Sequence, residues 1–111
     1  MNNLQELIKM ALGVRSRYAE YEKETGGKIW NNRDIMDGFI VDVADLLRLI
    51  MSKDGLREEA SIDEKIAHEL SDCLYCVFLL AHKYNIDIEK EYTKNMKMLR
   101  KKITSQTKYT H

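Results

Sequence analysis

The 111-residue chain has no proline and only five glycines, so little in it interrupts a helix, and no segment keeps up the apolar–polar alternation of a strand. An excess of either charge is also missing. The 18 basic residues balance 18 acidic ones, which argues against a nucleic-acid-binding or membrane-surface protein. Long apolar runs are absent too: the longest, Leu74–Ala81 (LYCVFLLA), is too short to span a bilayer. Met1–Leu12 lacks the basic start and unbroken apolar core of a secretory signal, so a cytoplasmic protein is expected. Cysteine is limited to Cys73 and Cys76. This lone CxxC lacks the second pair of a structural zinc site and the strand–turn–helix setting of a redox site, and both thiols read as small buried hydrophobes.

What remains is helical periodicity. Asn3 caps a first helix, with Glu6 three residues on and Leu4, Leu7, Ile8, Ala11, Val14 and Tyr18 at helical spacing; Thr25-Gly26-Gly27 ends it. Asn31 or Asn32 caps a second helix carrying Ile35, Phe39, Val43, Leu46, Leu47 and Ile50, broken at Asp54-Gly55. Ser61 and Glu64 make an S-x-x-E capping box for a third helix, which runs to about Tyr84. Asn85 or Asp87 caps a fourth, with Ile88, Tyr92, Met96, Leu99 and Ile103 on its apolar face. The expectation is an all-α protein: one helical domain over residues 1–103, a four-helix bundle, then a polar, frayed tail over 104–111.

The acidic residues carry the functional signal. Glu69 and Asp72 lie three apart on the third helix, with Cβ atoms about 5–6 Å apart, in a stripe continued by Cys76, Leu79 and Leu80. Asp42 and Asp45 repeat the spacing on the second helix, and Asp42 abuts the stripe of Phe39, Val43 and Leu46. If these helices form an antiparallel hairpin, Asp42 faces Asp72 and Asp45 faces Glu69, because both pairings centre on residue 57, inside the expected loop. Four carboxylates then meet at one level between helices whose axes are about 8–10 Å apart. They repel one another and are costly to desolvate. A hard divalent cation relieves both penalties, and an oxygen-only ligand set favours Mg²⁺ or Mn²⁺ over zinc. Exposed i,i+3 acidic pairs are common on helices, and what sets these apart is that two of them stand in register within apolar stripes.

HELSD, His68–Asp72, departs by one residue from the HExxH zinc-protease motif. Asp72 stands where the second His would be, and no third zinc ligand is placed to complete a site. His68 reads as a surface residue, and His82 as a boundary residue near the helix C-terminus.

Four stretches together resemble one family: GFIVDVADL (Gly38–Leu46), ELSDCLY (Glu69–Tyr75), NIDIE (Asn85–Glu89) and KNMKMLR (Lys94–Arg100). In this order they are similar to the MazG-like all-α nucleoside triphosphate pyrophosphohydrolases, which carry ExxE on one helix and ExxD on the next. The resemblance spans Trp30 to Arg100. It implies Mg²⁺ (or Mn²⁺) held by Asp42, Asp45, Glu69 and Asp72, hydrolysis of a (d)NTP to (d)NMP and pyrophosphate, and assembly as a homodimer or homotetramer. It also implies substrate contacts at Asn95, with Lys94 and Arg100 loosely matching the flanking basic residues. Asp45 or Glu69 would position the attacking water. Lys65, one turn before Glu69, could touch phosphate, although solvated helix charges are commoner. Trp30 could stack on a base, although capping the core is the plainer role. The family's ExxE is here DxxD, one methylene shorter at each position. That departure keeps a second class open: a catalytically weak or inactive relative that binds a nucleotide or a protein partner.

Overall fold

The computed structural model describes residues 2–56 and 61–109. All regular structure among them is helical: α1 (Leu4–Glu24), α2 (Asn32–Met51), α3 (Ile62–Lys83) and α4 (Ile88–Tyr109). No helix among the described residues is long and apolar enough to cross a membrane.

The helix ends follow from local chemistry. The Asn3 side chain accepts from the Glu6 amide and starts α1. At its end the Thr25 hydroxyl donates to the Tyr21 carbonyl at 2.8 Å, and the Gly27 amide reaches back to the Glu22 carbonyl at 2.8 Å. Asn31, not Asn32, caps α2. Its side chain accepts from the Asp34 amide, and the Asp34 carboxylate accepts from the Asn31 amide, a reciprocal box. After α2 the chain makes a widened turn, Ser52–Leu56, and leaves helical geometry at Asp54 and Gly55. Gly55 has φ +99°, a conformation that suits glycine.

The expected S-x-x-E box at Ser61 does not form. Ser61 has φ 57° and ψ 33°, and its side chain makes no capping hydrogen bond. An N-cap needs an extended backbone to aim its oxygen at the first-turn amides. The choice at α4 is also resolved: the Asp87 carboxylate caps it, accepting from the Lys90 amide at 3.1 Å. Asn85 (φ 55°) instead closes α3, where the Ile86 amide bonds to the Ala81 carbonyl at 2.8 Å.

Helices α2 and α3 form the expected antiparallel hairpin and make the most extensive packing in the molecule, and α1 packs on α3. Cys76 touches Asp42 midway along α2, and Lys53 pairs with Asp63 at 2.8 Å at the connecting end, which fixes the register. The core comprises Ala11, Ile35, Leu49, Cys76, Phe78, Leu79 and Ala81. It follows that α2 buries the side running through Ile35 and Leu49. Val43, Leu47 and Ile50, expected to face inward, point outward and are 40–59% exposed.

The bundle does not close on α4 within one chain. This helix makes no substantial packing contact with α1, α2 or α3, and Tyr92, Met96, Leu99 and Ile103 on its apolar stripe are all exposed. It is helical through Tyr109, so the tail boundary expected at Thr104 falls inside it. The radius of gyration is 18.1 Å, against about 13 Å for a compact domain of this length.

Trp30 ties the α1–α2 connection to the bundle. Its ring packs so closely on α2 that a Cβ at Gly38 would lie 3.1 Å from Trp30 Cζ3. The Arg15 guanidinium lies over the same ring, 5.8 Å from its centroid, and pairs with Glu22, which also accepts from the Trp30 amide. Burial alone would raise the Glu22 carboxyl. The Arg15 guanidinium and the Trp30 amide more than offset it and hold the group below its ordinary value. A Gly→Ala change inside a helix ordinarily stabilises by about 1 kcal/mol. At Gly13, where a Cβ meets nothing within 4 Å, that full gain is expected. Gly38→Ala should gain less, because the ring must move, and tryptophan emission should shift. Equal gains at both positions with unchanged emission would contradict this packing.

Candidate metal centre

The hairpin brings three of the four expected acidic residues together. Asp42 on α2 and Glu69 and Asp72 on α3 each offer a carboxylate oxygen, and these three oxygens lie within 4.8 Å of one another. All three side chains are half-buried. The helix geometry explains the convergence: Glu69 and Asp72 share a face of α3 by their spacing, and Asp42 sits on the buried side of α2, seven residues from Ile35 and seven from Leu49.

Asp45 stands beside this trio rather than in it. Its charge reaches both Asp42 and Glu69 and helps raise their carboxyl groups.

Among the described residues, burial and mutual repulsion dominate the electrostatics of the trio. Burial, then the charge of Asp72, pushes the Asp42 carboxyl above its ordinary value. Burial, then Asp42, Asp72 and Asp45, does the same to Glu69. Partial relief comes from two neighbours. The Cys76 thiol donates to Asp42 at 3.8 Å. His68 Nε2 lies 3.2 Å from Asp72. Neither reaches the most telling atom: Glu69 Oε2 is buried and has no hydrogen-bond partner. A buried carboxylate oxygen without a donor is costly, and a cation is the partner such an atom lacks.

The donor chemistry suits a hard ion. Burial and the nearby Asp42 push the Cys76 thiol up to about 11, and burial with Asp42, Glu69 and Asp72 raises Cys73. Both are therefore thiols at neutral pH, and the available ligands are oxygens. Mg²⁺ or Mn²⁺ prefers such ligands and keeps open positions for water or phosphate.

The remaining expected site residues scatter. Lys65 lines a cleft that reaches Glu69. Trp30 lies near the start of α2, packed on Gly38 and Arg15, and does not line that cleft. Lys94, Asn95 and Arg100 are exposed on α4, and none of them donates to the acidic oxygens or lines the cleft. Tyr75 faces α1, as its position opposite the acidic stripe suggests; burial raises its hydroxyl, which Arg15 moderates. Cys76, which the sequence places on the acidic stripe one turn beyond Asp72, also reaches Asp42 across the hairpin. Arg48 escaped the sequence reading: it lines the cleft with no periodic signal to mark it.

Comparisons with protein-family models, curated proteins and solved structures find no match to this chain.

Proposed function

We propose that this protein is a Mg²⁺-dependent nucleoside triphosphate pyrophosphohydrolase of the MazG-like all-α kind, acting on cytoplasmic nucleotides. The observation that carries the reading is Glu69 Oε2, buried and unpartnered against Asp42 and Asp72. The family resemblance of ELSD and its flanking segments supplies the substrate class. Asp42, Glu69 and Asp72 would hold the ion, with Mn²⁺ as a possible substitute. Bound there, the ion would neutralise phosphate charge and polarise the P–O bonds. Asp45, beside the trio and outside it, is the carboxylate left to hold the attacking water and accept its proton. The water oxygen bonds to the α-phosphorus, the bond from that phosphorus to the α–β bridging oxygen breaks, and pyrophosphate leaves. Release of pyrophosphate from a panel of (d)NTPs with Mg²⁺ or Mn²⁺, beside Glu69→Ala and Asp72→Ala, tests this. No metal-dependent release from any nucleotide by folded protein would end the enzyme reading.

A specific observation keeps the binding-module reading in play. Asp42 and Asp45 replace the family's glutamates, and Lys94, Asn95 and Arg100 stand away from the trio within one chain. Under that reading the protein binds metal and nucleotide without turnover.

Self-association belongs to the same proposal. The α4 stripe and the outward Val43, Leu47 and Ile50 leave more apolar side chain uncovered than a monomer of this size ordinarily shows, and the extended shape leaves space for a second copy. A homodimer or homotetramer would cover these faces and bring α4 of one copy toward the site of another. Light scattering is expected to give twice or four times the 13.0 kDa chain mass. Met96→Glu combined with Leu99→Glu should shift it toward the single chain. A monomer at micromolar concentration in the unaltered protein would overturn the assembly.

A further inference from the structure

The even balance of charge, which speaks against a nucleic-acid partner, conceals a division along the chain. From Tyr92 onward there are six basic residues and no acidic one, which leaves twelve basic against eighteen acidic residues before it. The basic part is α4, a helix without substantial packing on α1, α2 or α3. Its charge is ordered. Lys90, Lys94, Lys97 and Lys101 follow at steps of four, three and four residues and so line one face. Tyr92, Met96, Leu99 and Ile103 keep the same steps two residues on. Two residues turn the helix by about 200°, so the lysine row lies opposite the apolar stripe. All four lysines are exposed, and none is ion-paired among the described residues. Three of them, with Thr93, line an open groove along α4. The two carboxylates at its end are engaged elsewhere: Asp87 accepts from the Lys90 amide at 3.1 Å and Glu89 from the Gln5 side-chain amide at 3.1 Å.

We infer that the lysine row of α4 docks on the phosphate backbone of a nucleic-acid duplex. Apart from Lys94, the row takes no part in the hydrolase reading above, and the two stand or fall separately. Like charges at i,i+4 destabilise a helix, and a polyanion laid along the row removes that repulsion. The row rises roughly 16 Å along the helix axis. A duplex carries one negative charge per about 1.7 Å of its own axis, so several phosphates lie alongside the row at once. The acidic remainder of the chain repels the same phosphates, so α4 is the part that a polyanion meets first. The row holds no aromatic or amide side chain, so it has nothing to stack on an unpaired base or to read a base edge. Contact is therefore with the backbone alone and independent of sequence. An anionic bilayer fits less well: a helix lying on lipid buries its apolar stripe and turns the opposite face, here the lysines, to water. On a duplex the apolar stripe stays free for the second copy proposed above.

The test is fluorescence anisotropy of a dye-labelled DNA duplex of mixed sequence, titrated with the intact protein between about 50 and 200 mM salt. Binding should be weak, with a dissociation constant of about 1–100 μM, and equal for a second, unrelated sequence. Four phosphate contacts give a slope of about −3.6 for log K against log salt concentration. The triple variant Lys90→Gln/Lys97→Gln/Lys101→Gln should bind at least about tenfold more weakly at the lower salt, with a slope of about −1. Glutamine keeps the helix propensity of lysine, so circular dichroism should be unchanged. Removing as much charge from exposed positions of α1, in Lys9→Gln/Arg17→Gln/Lys23→Gln, should cost less than twofold. Four outcomes overturn the inference: no duplex binding by the unaltered protein at the lower salt, unchanged affinity in the α4 variant, equal loss in the α1 and α4 variants, or capture of phosphatidylserine vesicles through these lysines while duplex is not bound. Duplex binding that needs the row, in a protein that turns over no (d)NTP, keeps the surface and removes the enzyme. Turnover without duplex binding does the reverse.

Discussion

Glu69→Ala is expected to abolish metal-dependent pyrophosphate release, by at least about 100-fold in kcat/KM, the scale on which loss of a preorganised electrostatic group acts. The reason lies in where Glu69 sits. It reaches the trio through a buried oxygen that no protein donor satisfies, so on the proposed reading its loss deletes a metal ligand and costs that oxygen no hydrogen bond. The protein should therefore stay folded, and circular dichroism should be unchanged. Glu69→Gln separates charge from shape. It keeps the volume and one oxygen but loses the negative charge, and it should also lose most activity. Asp45→Asn should behave differently. Asp45 stands outside the trio, so metal affinity should hold within a few-fold while kcat falls. If Asp45→Asn weakens metal binding as strongly as Glu69→Gln, Asp45 is a ligand and the assignment of the water-holding group is wrong.

The second large effect is on stability and its dependence on pH. Folding raises the carboxyl groups of Asp42 and Glu69, by burial first and by neighbouring carboxylates second. A carboxyl raised on folding binds more protons in the native state than in the unfolded one between its two pKa values. Stability contributed by these groups therefore falls as pH rises through that window and is lowest once both are ionised. Three outcomes follow at pH 7.5. Without divalent cations, Asp42→Asn should melt higher than the unaltered protein. At a pH below both pKa values of Asp42 and Glu69 that advantage should vanish. Mg²⁺ or Mn²⁺ at about 100 times its dissociation constant should stabilise the unaltered protein by about 2.7 kcal/mol, or roughly 10 °C in Tm. The cation should do little for Asp42→Asn. A melting temperature that drops on Asp42→Asn at pH 7.5 without metal would show that this carboxylate is already satisfied, by the Cys76 thiol or otherwise, and has no need of a cation.

The hairpin and its register were legible because period and distance are redundant along two long helices. Two i,i+3 acidic pairs centred on one loop leave few ways to pair α2 with α3, and the Asp42–Asp72 neighbourhood follows. Rotation about each helix axis is not encoded in that way. The side of α2 facing α3 runs through Ile35 and Leu49, so Asp42 points inward, Asp45 sits off to one side, and Val43 and Leu47 look outward. A second apolar stripe on α2 blurred the choice, since apolar spacing says that a face wants cover but not what covers it. The same ambiguity holds for α4. Tyr92, Met96, Leu99 and Ile103 have helical spacing, yet whether they close the bundle of their own chain depends on the turn after α3. There Asn85, in a left-handed conformation, sets the exit direction. Ser61 failed as a cap for a similar reason: the motif specifies a side chain, whereas the left-handed backbone at Ser61 leaves that side chain without a capping hydrogen bond. Arg48, which lines the cleft that reaches Glu69, carried no pattern, because charged residues on exposed helix faces look alike until a neighbouring helix arrives.

The central claim is that Asp42 and Asp72, contributed by different helices, hold one cation together with Glu69. Titration of Mn²⁺ into the unaltered protein and into Asp42→Ala tests it most directly, since Asp42 lies on the opposite helix from the other two. The account predicts saturable binding that Asp42→Ala weakens at least about tenfold while the helical content stays the same. An Mn²⁺ affinity unchanged by Asp42→Ala would contradict it, and the shared site between α2 and α3 would have to be given up.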